Sequence, residues 1–353
     1  MASSGRRRFG IVALVAALAV AALGVANVRA DPGPDLPPIG GDELLASSLS
    51  ALARPFSISG DVDTRSDLGI PQIPSTVGGG ASGGLMGALS LVSGDQRYRV
   101  WHSPDGVRVA HLLAFSEQDL VMSASDVWFW DSSDMSAVHL DGSRDKTLWE
   151  ASPPAAAVHD ADFLTAAQRA LDAVAPYADV SVDGTSTVAG RPAYGLALAP
   201  TSTLTLIGRI VVAIDAETRL PLRLQVFPRA SDTAAVDAGF TSVSFDAIDP
   251  SMFSFTPPPG TTVRQASDVV AESGASGDDH GTPPTSDPRV FGRGFDLRVA
   301  LRLDSALPEV ADMLLPYAGP LLSAITVERD GQAWLLVGPV SLATLEEDAA
   351  SLP

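Results

Sequence analysis

Apolar residues recur along the chain in two distinct periods. Leu44, Leu45, Leu49 and Leu52 form one stripe at helical spacing, which predicts a helix over Glu43–Ala53 capped by Asp42. The period then changes to two. Phe56, Ile58 and Val62 alternate with polar residues and read as a strand. From Arg97 onward the pattern predicts an antiparallel meander: Arg97–His102, Val107–Phe115, Leu120–Met122, Val127–Trp130 and Ala137–Leu140. The turn Ser103-Pro104-Asp105-Gly106 would pair His102 with Val107, which sets His111 opposite Tyr98. Strands this short on tight turns must be antiparallel, because parallel crossovers need a dozen or more residues. Leu164, Ala167, Leu171 and Val174 predict a second helix, capped by Asp160 or Asp162 and stopped by Pro176.

Strands resume at Val180–Val188, Ala193–Leu198, Leu204–Asp215, Leu222–Phe227, Ala238–Asp246 and Met252–Phe255, closed by Thr256-Pro257-Pro258-Pro259-Gly260. Residues 31–42 are a Pro/Gly-rich lead-in expected to be disordered, 66–84 a Gly/Ser/Pro-rich loop and 264–289 a linker. Residues 290–353 then read as a small α+β module. It has a strand over Phe295–Leu303, a helical piece Pro308–Leu315, a hairpin around Asp330-Gly331 and a short acidic end helix.

At the start, Arg6, Arg7 and Arg8 precede an apolar run from Phe9 to Ala26, with Val28-Arg29-Ala30 after it. This is the pattern of a signal peptide over residues 1–30, cleaved before Asp31, and the expected location is extracytoplasmic, secreted or in the cell envelope. An uncleaved N-terminal anchor is the competing reading, since about 18 apolar residues can just span a bilayer. Composition narrows the rest. The 353 residues include no cysteine, which removes disulfide scaffolds, thiolate metal sites and cysteine nucleophiles. With 23 basic against 42 acidic residues the net charge is -19, unsuited to a nucleic-acid partner. Cleavage would remove four arginines and no carboxylate, leaving 19 basic against 42 acidic, or -23.

Three short patterns carry chemistry elsewhere and do not meet its requirements here. Gly80-Ala81-Ser82-Gly83-Gly84 fits the nucleophile elbow but lies in a glycine tract without a strand–turn–helix context. Gly78–Gly83 fits a dinucleotide loop, yet Pro71 and Pro74 precede it where a buried strand is required. Ser143-Arg144-Asp145-Lys146 follows an Asp-Gly turn with no downstream K-T-G. His102, His111, His139, His159 and His280 lack the spacing of a zinc pair, and the carboxylates are dispersed. No catalytic residue, metal or cofactor is expected. The aromatics are more informative: Trp128 and Trp130 share a sheet face, as core packing or as the wall of an apolar ligand cavity.

The second half carries a series of turns and strand ends. Val188-Ala189-Gly190-Arg191-Pro192-Ala193-Tyr194 leads to Ile214-Asp215-Ala216-Glu217-Thr218-Arg219-Leu220-Pro221-Leu222-Arg223. Gly239-Phe240-Thr241-Ser242-Val243-Ser244-Phe245 and Met252-Phe253-Ser254-Phe255-Thr256-Pro257-Pro258-Pro259-Gly260 follow. The series resembles the LolA-like superfamily, which includes lipoprotein carriers, lipid-binding envelope lipoproteins and RseB/MucB regulators of envelope-stress sigma factors. Val127-Trp128-Phe129-Trp130 resembles the actinobacterial members, and Val327–Val337 with Gly338-Pro339-Val340 resembles the C-terminal domain of RseB-type proteins.

The resemblance implies an α+β fold over residues 43–263, a half-open antiparallel β-barrel covered by helices, with the C-terminal module appended. It implies a non-enzymatic protein holding an acyl chain in an apolar cavity, its partner a lipid, acylated protein or glycolipid, and a monomer is expected. The alternative it leaves open is a regulator binding a membrane anti-sigma factor. Cavity candidates are Val109, Leu113, Phe115, Trp128, Trp130, Leu196, Leu198, Val212, Leu224 and Phe240. Burying acyl methylenes is worth about 0.8 kcal/mol each, so an apolar cavity alone can hold such a ligand.

Overall fold

A computed structural model describes residues 33–69, 94–142, 176–269, 288–303 and 315–352. Helix α1 (Gly41–Leu52) precedes strand β1 (Ile58–Ser66). The meander follows as β2 (Gly94–Ser103), β3 (Gly106–Leu112), β4 (Glu117–Ser123), β5 (Asp126–Asp131) and β6 (Ser136–Asp141). A second run comprises β7 (Ala178–Val188), β8 (Arg191–Pro200), β9 (Ile207–Asp215), β10 (Pro221–Pro228) and β11 (Val236–Phe240), and β12 (Thr262–Gln265) closes the set. The twelve strands form one sheet in the order β12-β6-β5-β4-β3-β2-β1-β11-β10-β9-β8-β7, open at both ends.

The meander pairs as its turns dictate. His102 lies opposite Val107 and His111 opposite Tyr98, the two rings stacked at 4.6 Å. Strand β1 is the hinge of the sheet, pairing with β2 on one side and β11 on the other. Two two-residue hairpin turns use left-handed backbone at both central positions. Ala189 and Gly190 (φ 50° and 77°) join β7 to β8, and Asp330 and Gly331 (φ 49° and 76°) form the later hairpin, the geometry that matches strand twist.

The main core lies where α1 meets the sheet. Leu44, Leu45 and Leu49 pack with Tyr194, Leu196, Leu198, Ile210, Val212, Ile214 and Leu224. The helix starts two residues earlier than its apolar stripe suggests. Gly40 is the N-cap and makes no side-chain cap, while Asp42 falls in the first turn, where it favours the helix dipole.

A second, five-stranded sheet has the order β13-β14-β17-β16-β15. Its strands are β13 (Arg289–Phe291), β14 (Arg298–Leu303), β15 (Tyr317–Ala318), β16 (Ser323–Arg329) and β17 (Gln332–Gly338), followed by helix α2 (Leu342–Ala349). Ser341 caps α2 by accepting from the Thr344 amide. The two sheets are joined directly. Leu206 N–H donates to the Pro339 carbonyl at 2.7 Å, Ser202 bonds Asp296 at 2.6 Å, and Phe295 enters the α1 core.

Several expectations are corrected. Met252–Phe255 is not a strand: residues Pro250–Phe253 form a 3-10 turn, because Pro250 favours a first helical position and Asp249 caps the Ser251 amide. Strand β11 ends at Phe240, where Asp61 takes the Thr241 and Ser242 amides onto its carbonyl. Strand β9 starts at Ile207, since Thr205 bridges to Val340 of the second sheet. Strands β12 and β13 occupy the ends of the polar stretch 264–289, β12 held by pairing with the distant β6 and β13 by pairing with the next strand, β14. The signal segment, the tract beyond Gly69, the Gly80–Gly84 and Ser143–Lys146 patterns, the helix around Leu164–Val174, residues 308–314, His159 and His280 lie outside the described residues.

Candidate functional site

Pairing register assigns every side chain of the β2–β6 half to one of two faces. One face holds three rows across the strands. The first is polar: Tyr98, His111, Gln118, Asp131 and Ser136. The second is Val100, Val109, Leu120, Phe129 and Val138, and the third is His102, Val107, Met122, Val127 and Leu140. Through β1 and β11 this face is continuous with the one on which α1 packs. Over β8–β10 the helix seals it. Over β3–β6 the apolar rows stay only half-buried, and Phe129 is 45% exposed.

The polar row is internally bonded. His111 Nε2 donates to Gln96 Oε1 at 2.7 Å, and Gln118 Nε2 donates to Asp131 Oδ2 at 2.7 Å. Burial lowers the His111 pKa from its ordinary value, so the ring is neutral near pH 7. Burial would raise Asp131, but donors from Ser133 and Gln118 outweigh it and the carboxyl sits below its ordinary value.

The reverse face is partly covered, with Ala110, Asp119, Val121 and Ala137 buried and its tryptophans half-buried. Its rows are Arg99, Ala110, Asp119, Trp130 and Ala137, and Trp101, Arg108, Val121, Trp128 and His139. Phe255 packs on Trp128 and Trp130 at 5.5 and 6.0 Å, and Trp128 stacks on His139 at 3.9 Å. The fully buried Asp119 pairs with Arg108, whose guanidinium lies 5.6 Å from the Trp101 ring. Burial and the adjacent Asp119 together raise the Glu117 pKa.

The ten cavity candidates therefore do not converge. Val109 lies in the half-exposed field. Leu196, Leu198, Val212 and Leu224 lie on the same face but under α1, and Phe240 lies in a neighbouring core cluster with Val62 and Tyr98. Trp128 and Trp130 are on the opposite face. Leu113 and Phe115 sit at the β3–β4 turn, 39% and 102% exposed. Leu120, Met122, Val127, Phe129, Val138 and Leu140 are not among the cavity candidates that the sequence suggests. The alternation with Trp128 and Trp130 was the available signal.

The recurrent motifs of the second half are scaffold. Asp215 is fully buried and accepts from Arg191, from the Glu217 and Thr218 amides and from the Thr218 hydroxyl. Arg191 also lies 4.8 Å from the Phe245 ring, so three separate motif segments meet at one guanidinium. Arg223 similarly pairs with Asp237, which also accepts from Gln225. Among the described residues no group of three or more His, Cys, Asp or Glu could hold a metal. Among the described residues no helix is long and apolar enough to cross a membrane.

No family model matches the sequence, and no curated protein matches it. Solved structures do resemble the fold. A chain of the Pseudomonas aeruginosa MucA/MucB complex is 17% identical, with a TM-score of 0.47, over 87% of this chain and 96% of that one. A MucB crystal structure is 18% identical, with a TM-score of 0.45, over 88% and 96%. A LolA superfamily protein from Nitrosomonas europaea is 8% identical, with a TM-score of 0.23, over 62% and 99%.

Proposed function

We propose that this chain is an exported, non-enzymatic binding protein of LolA-like type that holds an acyl chain on the apolar field of β3–β6. One observation carries the reading. The sheet face that α1 seals in one half continues into the other half as two apolar rows, and those rows remain half-exposed. A soluble protein gains nothing by leaving such a field uncovered, and an apolar ligand would complete its burial at about 25 cal/mol per Å². The half-exposed rows hold no nucleophile or acid–base pair, and the motifs resembling the family are used as turns and braces. Leu113 and Phe115 would mark the rim at the β3–β4 turn.

Native mass spectrometry of gently purified protein tests the reading. Adducts of lipid mass that dissociate on collisional activation are expected. Persistent absence of bound lipid, together with no uptake of acylated peptides or glycolipids, overturns it.

A second reading is an envelope regulator that contacts a membrane anti-sigma factor. The directly bonded second sheet favours it, because a bare acyl carrier has no need of one. Affinity capture from envelope extract should then recover a single-span protein with a cytoplasmic sigma-binding domain.

A further inference from the structure

We propose that Glu117 and Asp119 share one proton, and that this proton closes a clasp between the β3–β4 and β5–β6 turns. Asp119 is fully buried on the reverse face of β4. Its Oδ2 accepts from Arg108, while its buried Oδ1 meets no N–H or hydroxyl donor among the described residues. A charged oxygen is costly to leave in that state. Glu117 stands two residues earlier in the same strand, so the two side chains leave the same side of it. The two carboxyl groups hydrogen-bond each other. Two carboxylates have no hydrogen to share, so one of the pair is a carboxylic acid. Asp119 is the one ion-paired to Arg108, which leaves the proton on Glu117. Its O–H supplies the donor that Oδ1 lacks.

The charges around the pair come from β2 and β3. Arg108 and Arg99 both favour ionised Glu117, but burial and the neighbouring Asp119 outweigh them. Arg99 is itself held by Asp61 of β1 at 2.7 Å. From β5 the residue opposite Asp119 is the uncharged Trp130, and the 3-10 turn brings the Met252 sulfur to Arg108. The backbone of Glu117 is a junction as well. Its N–H donates to Ser132 Oγ at 2.7 Å, and its carbonyl accepts from the Ser132 N–H at 3.0 Å. The preceding Ser116 accepts the Leu113 amide across the β3–β4 turn. Both turns therefore meet at the residue that carries the proton. Once that proton passes to solvent, two carboxylates compete for one guanidinium. Glu117, only partly buried, is the one that can swing out to water. Glu117 is raised from its ordinary 4.5, so the clasp is complete below that pH and weakens as pH climbs through the folded value.

Infrared spectroscopy and amide hydrogen exchange of the full chain, between about pH 4 and 8, test the proposal. The wild type should keep a carboxylic-acid carbonyl band above about pH 5, beyond the ordinary carboxyl range, and Glu117→Gln should lack it. As the band disappears, exchange at the Glu117 and Ser132 amides, corrected for its intrinsic pH dependence, should speed up about tenfold. It should stay slow at every pH in Glu117→Gln, whose amide donates without titrating. Glu117→Ala, which has no donor to offer, should exchange quickly throughout. Absence of the band, its survival in Glu117→Gln, or protection that ignores pH in the wild type each overturns the proposal.

Discussion

Arg191 at the start of β8 holds the carboxylate of Asp215 at the end of β9, through Nε at 2.5 Å and Nη2 at 3.0 Å. Asp215 in turn fixes the turn to β10 by accepting the Glu217 and Thr218 amides at 3.1 and 2.7 Å. One carboxylate thereby sets the register of three strands beneath the core on which α1 rests.

Removing that carboxylate leaves two turn amides without their acceptor and leaves Arg191 only the exposed Glu217 as a partner. Asp215→Ala should destabilise the protein by about 3–5 kcal/mol, the cost of breaking a buried pair from one side. The denaturant midpoint measures it, and a change below about 1 kcal/mol would show that the brace is dispensable. Burial raises the Asp215 pKa, but Arg191 and the Thr218 and Glu217 donors outweigh it, so the net shift is downward from 3.8. A depressed carboxyl contributes stability above its unfolded pKa and loses it as pH falls through the folded value. The wild type should therefore lose stability below about pH 4, and Asp215→Asn should lose less over that range.

His102 predicts a second pH dependence at milder acidity. Its ring stacks on Phe56 at 4.3 Å, and burial lowers its pKa from 6.5 despite backbone contacts that favour the cation. The unfolded chain takes up the proton first. Stability should fall as pH drops below about 6.5 and level off once pH is under the folded value. His102→Phe keeps the stack and removes the titration, so melting temperatures at pH 7.5 and 5.5 should differ less than in the wild type.

Gly106 has no room for a side chain. A Cβ there would meet the Met122 carbonyl at 2.3 Å and Phe253 at 2.8 Å. Gly106→Ala should push away the 3-10 turn that carries Phe253 and, through it, Phe255. A loss of about 1–3 kcal/mol is expected, with altered tryptophan fluorescence as Trp128 and Trp130 lose their cover.

Phe295 ties the second sheet to the first, buried among residues that include Leu44, Tyr194 and Leu198. Phe295→Ala should cost about 3–5 kcal/mol. It should also separate the unfolding of the two sheets into two transitions by calorimetry, where the wild type gives one.

The meander shows how far sequence alone reaches. Its turn chemistry at Ser103–Gly106 determines the pairing of β2 with β3, and alternation shows which residues share a face. Alternation carries no sign, however. Trp128 and Trp130 were the conspicuous aromatics, yet what covers them is Phe255, a residue more than 120 positions away whose segment looks like a strand and folds as a 3-10 turn. Leu196 and Val212 read from sequence as cavity-facing, but α1, far off in the chain, buries them. Strand β12 was invisible for the same reason, since four polar-flanked residues become a strand only by pairing with β6. Local rules reached the hairpins; the candidate site is a product of nonlocal cover.

The two faces can be told apart by substitution. Phe129 and Trp130 are sequence neighbours on opposite sides of β5, the first 45% exposed in the open field and the second packed on Phe255. If the field holds the ligand, Phe129→Ser removes a contact made only with ligand. Acyl affinity should then fall about tenfold or more, the equivalent of about 1.4 kcal/mol, while thermal stability stays within about 0.5 kcal/mol of the wild type. Trp130→Phe should do the reverse, with binding retained and stability reduced through looser packing on Phe255. Were the tryptophan face the cavity wall instead, Trp130→Phe would impair binding and Phe129→Ser would leave it intact. Titration with a fluorescent fatty acid, alongside urea denaturation of each variant, separates these outcomes because each face makes the opposite pair of expectations.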